Sequence, residues 1–167
     1  MALILSLSAP SKTFLVGEYA VLQGGPSLVL NTEPRFELHV SLGQGLQFGI
    51  PEGAPAWRWI EARKPLLEKY DLYFVDPHKG QGGFGASGAQ FLMVHALTTF
   101  LQTGFSGLVK GVNIKDVKSD LQVLAKGRGS GADVLSQSAG FVAHSNVREA
   151  KVESHSWPYP EIDFCIV

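Results

Sequence analysis

Apolar and polar residues alternate over residues 2–8, with Leu3, Leu5 and Leu7 on one side. A period of two marks a half-buried strand. Pro10, in "SAPSK", is expected to break it. "TFLVGEYAVLQGGPSLVL" reads as two short apolar strands turning at Gly24-Gly25-Pro26. "RFELHVSL" alternates again and sends Phe36, Leu38, Val40 and Leu42 inward. "GLQFGI" is expected to pair with it across the turn at Gly43–Gly45. The opening third of the chain thus predicts mainly antiparallel sheet.

Helical spacing begins at "APAWRWIEARKPLLEKYDL", where Pro65 should end or kink the helix. "LYFVD" is a short strand. Residues 87–101 are apolar nearly all round, which predicts a helix buried on most sides. In "NIKDVKSDLQVLAK", Ile114, Val117, Leu121 and Leu124 share one helical face. A further helix opens at Asp133, and "GFVAHSN" and "IDFCIV" read as strands.

Composition narrows the class. Of 167 residues, 45% are hydrophobic and 17% charged, which excludes a disordered chain. A net charge of −1 gives no pull toward nucleic acid or acidic membranes. No apolar run reaches transmembrane length. The single cysteine, Cys165, forms no internal disulfide, which fits a cytoplasmic setting. The His and Cys residues have no zinc spacing.

The chemistry concentrates in "KGQGGFGASGAQ", Lys79 to Gln90, with five glycines and no acid, directly before the apolar helix. Such a loop offers free N–H groups and the positive end of a helix dipole, and phosphate is the usual occupant. Ser87 is placed to cap the helix or to turn its hydroxyl to a phosphate or metal ion. A loop serving only close packing is the competing reading. The P-loop pattern is absent. Gly80, Gly82 and Gly85 match G-x-G-x-x-G, but no acidic residue follows at the distance a dinucleotide fold requires.

Two further stretches lie in order around this loop: "SAPSKTFLVGEYAVLQGGPSLV" before it and "GRGSGADVLSQSAGFV" after it. Together with "GGFGASGAQ" they resemble three motifs of the N-terminal half of the GHMP kinases. Those small-molecule kinases include galactokinase, homoserine kinase, mevalonate kinase and phosphomevalonate kinase. The first stretch looks most like the mevalonate and phosphomevalonate kinases.

The resemblance implies roles residue by residue. Lys12 matches a lysine near the substrate hydroxyl, where an ammonium favours the alkoxide and offsets phosphoryl charge. Without the motif it reads as a solvated lysine in a turn. Glu18 matches a glutamate that orients Lys12 or polar ligand groups; an ordinary surface carboxylate is the alternative. Asp133 matches the catalytic base of the mevalonate kinase-like branch, and a helix N-cap is its alternative. Ser130 and Gly131 shape the turn before Asp133 and belong to the substrate side. Gly82, Gly83, Gly85, Ala86, Ser87 and Gly88 are the nucleotide loop, with Ser87 the contact to phosphate or Mg²⁺. Gln122 stands where these kinases carry a magnesium-binding glutamate, and its amide is a poor Mg²⁺ ligand; Asp120 lies nearby. Lys126 and Arg128 flank the second glycine loop, whereas Lys110, Lys115 and Lys118 read as a solvated face. His95 reads as a hydrogen-bonded core histidine. Trp57 and Trp59 read as packing residues before adenine-stacking ones.

The implied fold is α+β, an antiparallel-rich sheet with helices on one face, with residues 1–167 forming an N-terminal kinase domain. The implied activity uses ATP and Mg²⁺ to phosphorylate a small metabolite, mevalonate first and phosphomevalonate second. A non-catalytic nucleotide-binding module is the rival. A C-terminal kinase domain is expected in the full-length protein, because the chain stops inside the apolar "IDFCIV". That end is also a candidate homodimer surface, and the isolated chain is expected to be deficient in catalysis.

Overall fold

The computed structural model describes residues 3–104, 113–127, 129–159 and 161. Six strands form one mixed sheet: β1 (Leu3–Val16), β2 (Pro26–Leu42), β3 (Gln47–Phe48), β4 (Tyr70–Val75), β5 (Val142–Asn146) and β6 (Lys151–His155). Five helices accompany them: α1 (Pro55–Glu61), α2 (Lys64–Leu67), α3 (Ala86–Thr103), α4 (Ile114–Leu124) and α5 (Ala132–Ala139). The long β2 organises the sheet. β1 runs antiparallel along one edge, while β5 and β4 share the other. The fold is α+β.

The period-two reading holds where both neighbours bury the strand. Phe36, Leu38 and Val40 of β2 and Leu72 and Phe74 of β4 are buried in one core cluster with side chains of α1, α3 and α4. Alternate residues such as Tyr73 face away and stay exposed. Leu42, expected inward, is 67% exposed, because it ends its strand beyond the helix layer. Pro65 falls in the first turn of α2, so the helical stretch divides around it. Val117 of α4 is fully buried, with Ile114, Leu121 and Leu124 packed beside the core.

Three expectations in the opening third are corrected. Pro10 does not end the first strand: β1 continues to Val16, with an irregularity in register between Ala9 and Ser11. Proline lacks an N–H, and a bulge accommodates it. The bulge also shifts the alternation by one residue. Leu5, Leu7 and Ala9 lie opposite Val40, Leu38 and Phe36 before it; Lys12 and Phe14 lie opposite Asn31 and Val29 after it. Lys12 is thereby delivered to the helix-covered face. The "AVLQ" stretch is no strand but a 3-10 turn, Ala20–Gln23, closed by Gly24. "GLQFGI" contributes β3, which pairs parallel with β4 and not with β2.

β6 carried no expectation from its sequence; it pairs antiparallel with β5. "IDFCIV" and the expected C-terminal edge lie outside the described residues. No helix among the described residues is long and apolar enough to cross a membrane.

Candidate active site

The cleft is built where β1, α3 and α5 meet. The backbone N–H of Lys12 donates to the Phe84 carbonyl at 3.0 Å, so the glycine loop is tied to β1 at this residue. The neighbouring Ser11 hydroxyl donates to the Pro34 carbonyl and lies 2.6 Å from His78 Nε2. The His78 ring stacks on Phe84 at 4.0 Å. Asp76 accepts from the His78 and Gly80 N–H groups and closes the turn before the loop. One end of the loop is therefore firmly held, and Gly82 and Gly83 form its exposed tip, outside the walls of the cleft.

Gly85 is required twice over. Its φ of +89° is a left-handed conformation, and a Cβ there would fall 2.7 Å from Lys12 Cγ. At Gly88 a Cβ would fall 2.7 Å from Gln137 Oε1 and 3.0 Å from Asp133 Cβ, so this glycine sets the close approach of α3 to α5.

Two helix starts share one local pattern. Gly85-Ala86-Ser87 opens α3 and Gly131-Ala132-Asp133 opens α5; in each, a left-handed glycine is the N-cap and no side chain caps the helix. Ser87 and Asp133 are thus second helical residues rather than caps, which corrects the capping option for both. Ser130 Oγ accepts from the Ala132 N–H at 3.1 Å and braces the second turn.

Lys12, Glu18, Ser87, Gly88, Ser130, Gly131 and Asp133 line one cavity of about 290 Å³. Lys12 is only 7% exposed, so the solvated-turn reading is excluded. Its Nζ lies 3.0 Å from Asp133 Oδ1 and 4.4 Å from the Phe14 ring centroid. The Asp133 side chain is 41% exposed, which leaves carboxylate surface open to a ligand. Glu18 is exposed on the rim.

The α4 helix answers the metal question. It turns Leu121 and Ala125, at its C-terminal end, to this cleft. Gln122 faces an adjoining cavity, and Asp120 lies 3.2 Å from His95 Nε2 in a different one. Among the described residues no group of three or more His, Cys, Asp or Glu side chains is placed to hold a metal. The cleft's own side-chain oxygen donors are two carboxylates, one already paired with Lys12, and the Ser87 and Ser130 hydroxyls, the latter engaged with the Ala132 N–H. That set does not fit a protein-built Mg²⁺ cage.

Other expectations resolve individually. His95 is buried against Trp59, and burial holds its pKa below the ordinary histidine value. Trp59 is a packing residue whose Nε1–H donates to Thr98. Trp57 lines a separate cavity beside Gln47 and Lys64. Lys126 is exposed near Arg58 and Pro55; Lys110 and Arg128 lie outside the described residues. Lys118 is half-buried rather than fully solvated: its stem packs on Gly131, its ammonium donates to the Val147 carbonyl, and burial lowers its pKa.

Gln137 had no expected role. It is buried, and its Nε2 donates to the Pro10 and Gly85 carbonyls at 2.8 and 3.2 Å, clamping β1 and the start of α3 to α5. Its signal was its place one helical turn after Asp133, on the same face.

No family model matches the chain, and no curated protein matches it. Solved structures do. The phosphomevalonate kinase of Streptococcus pneumoniae matches with a TM-score of 0.61 at 14% identity, over 89% of this chain and 50% of that one. The mevalonate kinase of Methanococcus jannaschii matches with a TM-score of 0.58 at 12% identity, over 94% of this chain and 57% of that one. The galactokinase of Lactococcus lactis, complexed with galactose, matches with a TM-score of 0.60 at 14% identity, over 89% of this chain and 46% of that one. The chain spans about half the length of these structures. Its structural neighbours are GHMP-family kinases, and the chain has their fold over most of its length.

Proposed function

We propose that the cleft between α3 and α5 transfers the γ-phosphoryl group of ATP to a hydroxyl, or in the second case a phosphate oxygen, of a small metabolite. The observation that carries this reading is the Lys12–Asp133 pair, set between two uncapped helix starts in one cavity. Helix N-termini favour anions, so the start of α3 with the Ser87 hydroxyl receives the phosphate end of the nucleotide. Asp133 accepts the proton of the acceptor hydroxyl and aims its oxygen. The oxygen–γ-phosphorus bond forms, the bond from γ-phosphorus to the β-bridging oxygen breaks, and ADP leaves. Lys12 offsets the negative charge that gathers on the acceptor oxygen and phosphoryl group. Its near-complete burial strengthens that effect. Mg²⁺ enters only as the counter-ion of the nucleotide.

Mevalonate, which accepts on its hydroxyl, is the first candidate acceptor under this reading, and phosphomevalonate, which accepts on a phosphate oxygen, is the second, with the reaction in the cytoplasm. One neighbour is a phosphomevalonate kinase in complex with phosphomevalonate and AMPPNP, which supports ATP as donor. A C-terminal domain over the cleft in the full-length protein is part of the proposal. The test, on the full-length protein, is AMPPNP binding by calorimetry, with ADP release measured against mevalonate, phosphomevalonate, homoserine and galactose. The reading expects AMPPNP binding that weakens in Ser87→Ala, and ADP release with one of the first two acceptors. No nucleotide binding by the unaltered protein contradicts it.

A further inference from the structure

We infer that His78 is a positioning residue for the nucleotide: through Ser11 and Phe84 it fixes the first glycine loop, and with it the start of α3, against Lys12. The inference rests on the phosphoryl-transfer reading for the ligand that the loop receives, and adds what holds the loop where that ligand binds.

Proton bookkeeping decides how the pair is made. Ser11 is fully buried. Its hydroxyl has one proton, which goes to the Pro34 carbonyl at 2.6 Å, because a carbonyl only accepts. His78 Nε2 lies 2.6 Å from the same Ser11 oxygen and must therefore be the donor. The tautomer follows: Nε2 carries a proton and gives it to Ser11. The His78 ring also stacks on Phe84, nearly parallel at 5°, and meets the buried Phe36 ring at 5.6 Å.

The loop beyond this ring is tied mainly to itself. The N–H groups of Lys79, Gly80 and Gln81 donate to the Asp76 carbonyl, the Asp76 carboxylate and the His78 carbonyl. A Cβ at Gly80, Gly82 or Gly83 would meet nothing within 4 Å. Among the hydrogen bonds of the described residues, the stretch from 76 to 84 meets β1 at two places: His78 on Ser11, and the Phe84 carbonyl on the Lys12 N–H. Ser11 precedes Lys12, and Phe84 precedes Gly85, the N-cap of α3, whose Cβ would fall 2.7 Å from Lys12 Cγ. A loop released from His78 therefore shifts the phosphate-receiving helix start relative to the Lys12 ammonium, and phosphoryl transfer depends on that placement.

The experiment uses the full-length protein with His78→Phe, His78→Gln, Ser11→Ala and the double variant Ser11→Ala/His78→Phe. Phenylalanine keeps the stack and removes the donor; glutamine keeps an N–H donor and removes the stack. AMPPNP affinity is measured by calorimetry at a temperature where melts show each variant folded, with mevalonate and phosphomevalonate affinity and ADP release alongside. AMPPNP binding is expected to weaken about tenfold in His78→Phe and in Ser11→Ala. The double variant should lose no more than either alone, because both remove one bond. His78→Gln should bind AMPPNP more tightly than His78→Phe, and acceptor affinity should not change. Ser11→Ala reads the same bond from its other side, so it carries the test if His78→Phe fails to fold. Unaltered AMPPNP affinity in the folded single variants, or an equal loss for AMPPNP and acceptor, overturns the inference and leaves the transfer cleft standing. His78-dependent AMPPNP binding without ADP release for any acceptor supports the inference and contradicts the transfer reading. No AMPPNP binding by the unaltered protein contradicts both.

Discussion

Lys12 Nζ and Asp133 Oδ1 meet at 3.0 Å from opposite ends of the chain, and the two partners differ sharply in burial: 8% of the lysine side chain is exposed against 41% of the aspartate. Removing one partner is therefore not equivalent to removing the other. Asp133→Ala strands a buried ammonium and is expected to cost about 1–3 kcal/mol of stability. Lys12→Met leaves a carboxylate that water can reach, at a cost of about 0–1 kcal/mol. Urea unfolding of both variants measures the difference; equal losses would show that the pair is not asymmetric in this way.

Gly88→Ala tests the contact between α3 and α5. The added methyl group meets Gln137 Oε1 and Asp133 Cβ, so the helices must separate. Overpacking of this kind costs about 1–3 kcal/mol. Thermal melts should show the loss, and AMPPNP affinity should fall with it because Ser87 moves away from Asp133.

Gln137→Leu removes two donors from the Pro10 and Gly85 carbonyls while keeping most of the volume. The expected cost is about 1–3 kcal/mol for buried acceptors left unpaired. A variant as stable as the unaltered protein would remove Gln137 from the framework of the cleft.

The pH dependence comes from His95. Burial lowers its pKa, and the hydrogen bond and charge of Asp120 only partly oppose this; the Asp116 charge also opposes it, and Arg63 adds to the lowering. Nδ1 is buried without a partner among the described residues, so protonation would strand a second N–H. With the folded pKa below the unfolded one, the unfolded chain takes up the proton first on acidification. Stability is then full above the ordinary value of about 6.5 and is lost as pH falls from there through the lowered pKa. Melts between pH 8 and 5 should show this loss, and His95→Gln should reduce it. The same slope in both would assign the acid sensitivity elsewhere.

The sheet core was legible wherever one face alone was buried, as at Phe36, Leu38 and Val40. Leu42 shows the limit of that pattern: alternation gives the face but not where the covering layer ends. Pro10 reads as a stop in sequence because its missing N–H opposes sheet pairing, but the bulge absorbs it and rotates Lys12 onto the helix face. Motif order indicated Lys12, Ser87 and Asp133, and all three line one cavity. Gln137 and Lys118 are generic polar residues in sequence; only the packing of Pro10, Gly85 and Gly131 around them gives them a place.

The most direct test of the central claim is the kcat of Asp133→Asn in the full-length protein, with AMPPNP affinity as its control. Asparagine keeps the size of the side chain but cannot accept the hydroxyl proton. If Asp133 is the base, kcat falls by about 10²–10⁴ while AMPPNP binds as before. An unchanged kcat would contradict the assignment and leave the Lys12–Asp133 pair as a structural contact at a nucleotide-binding site.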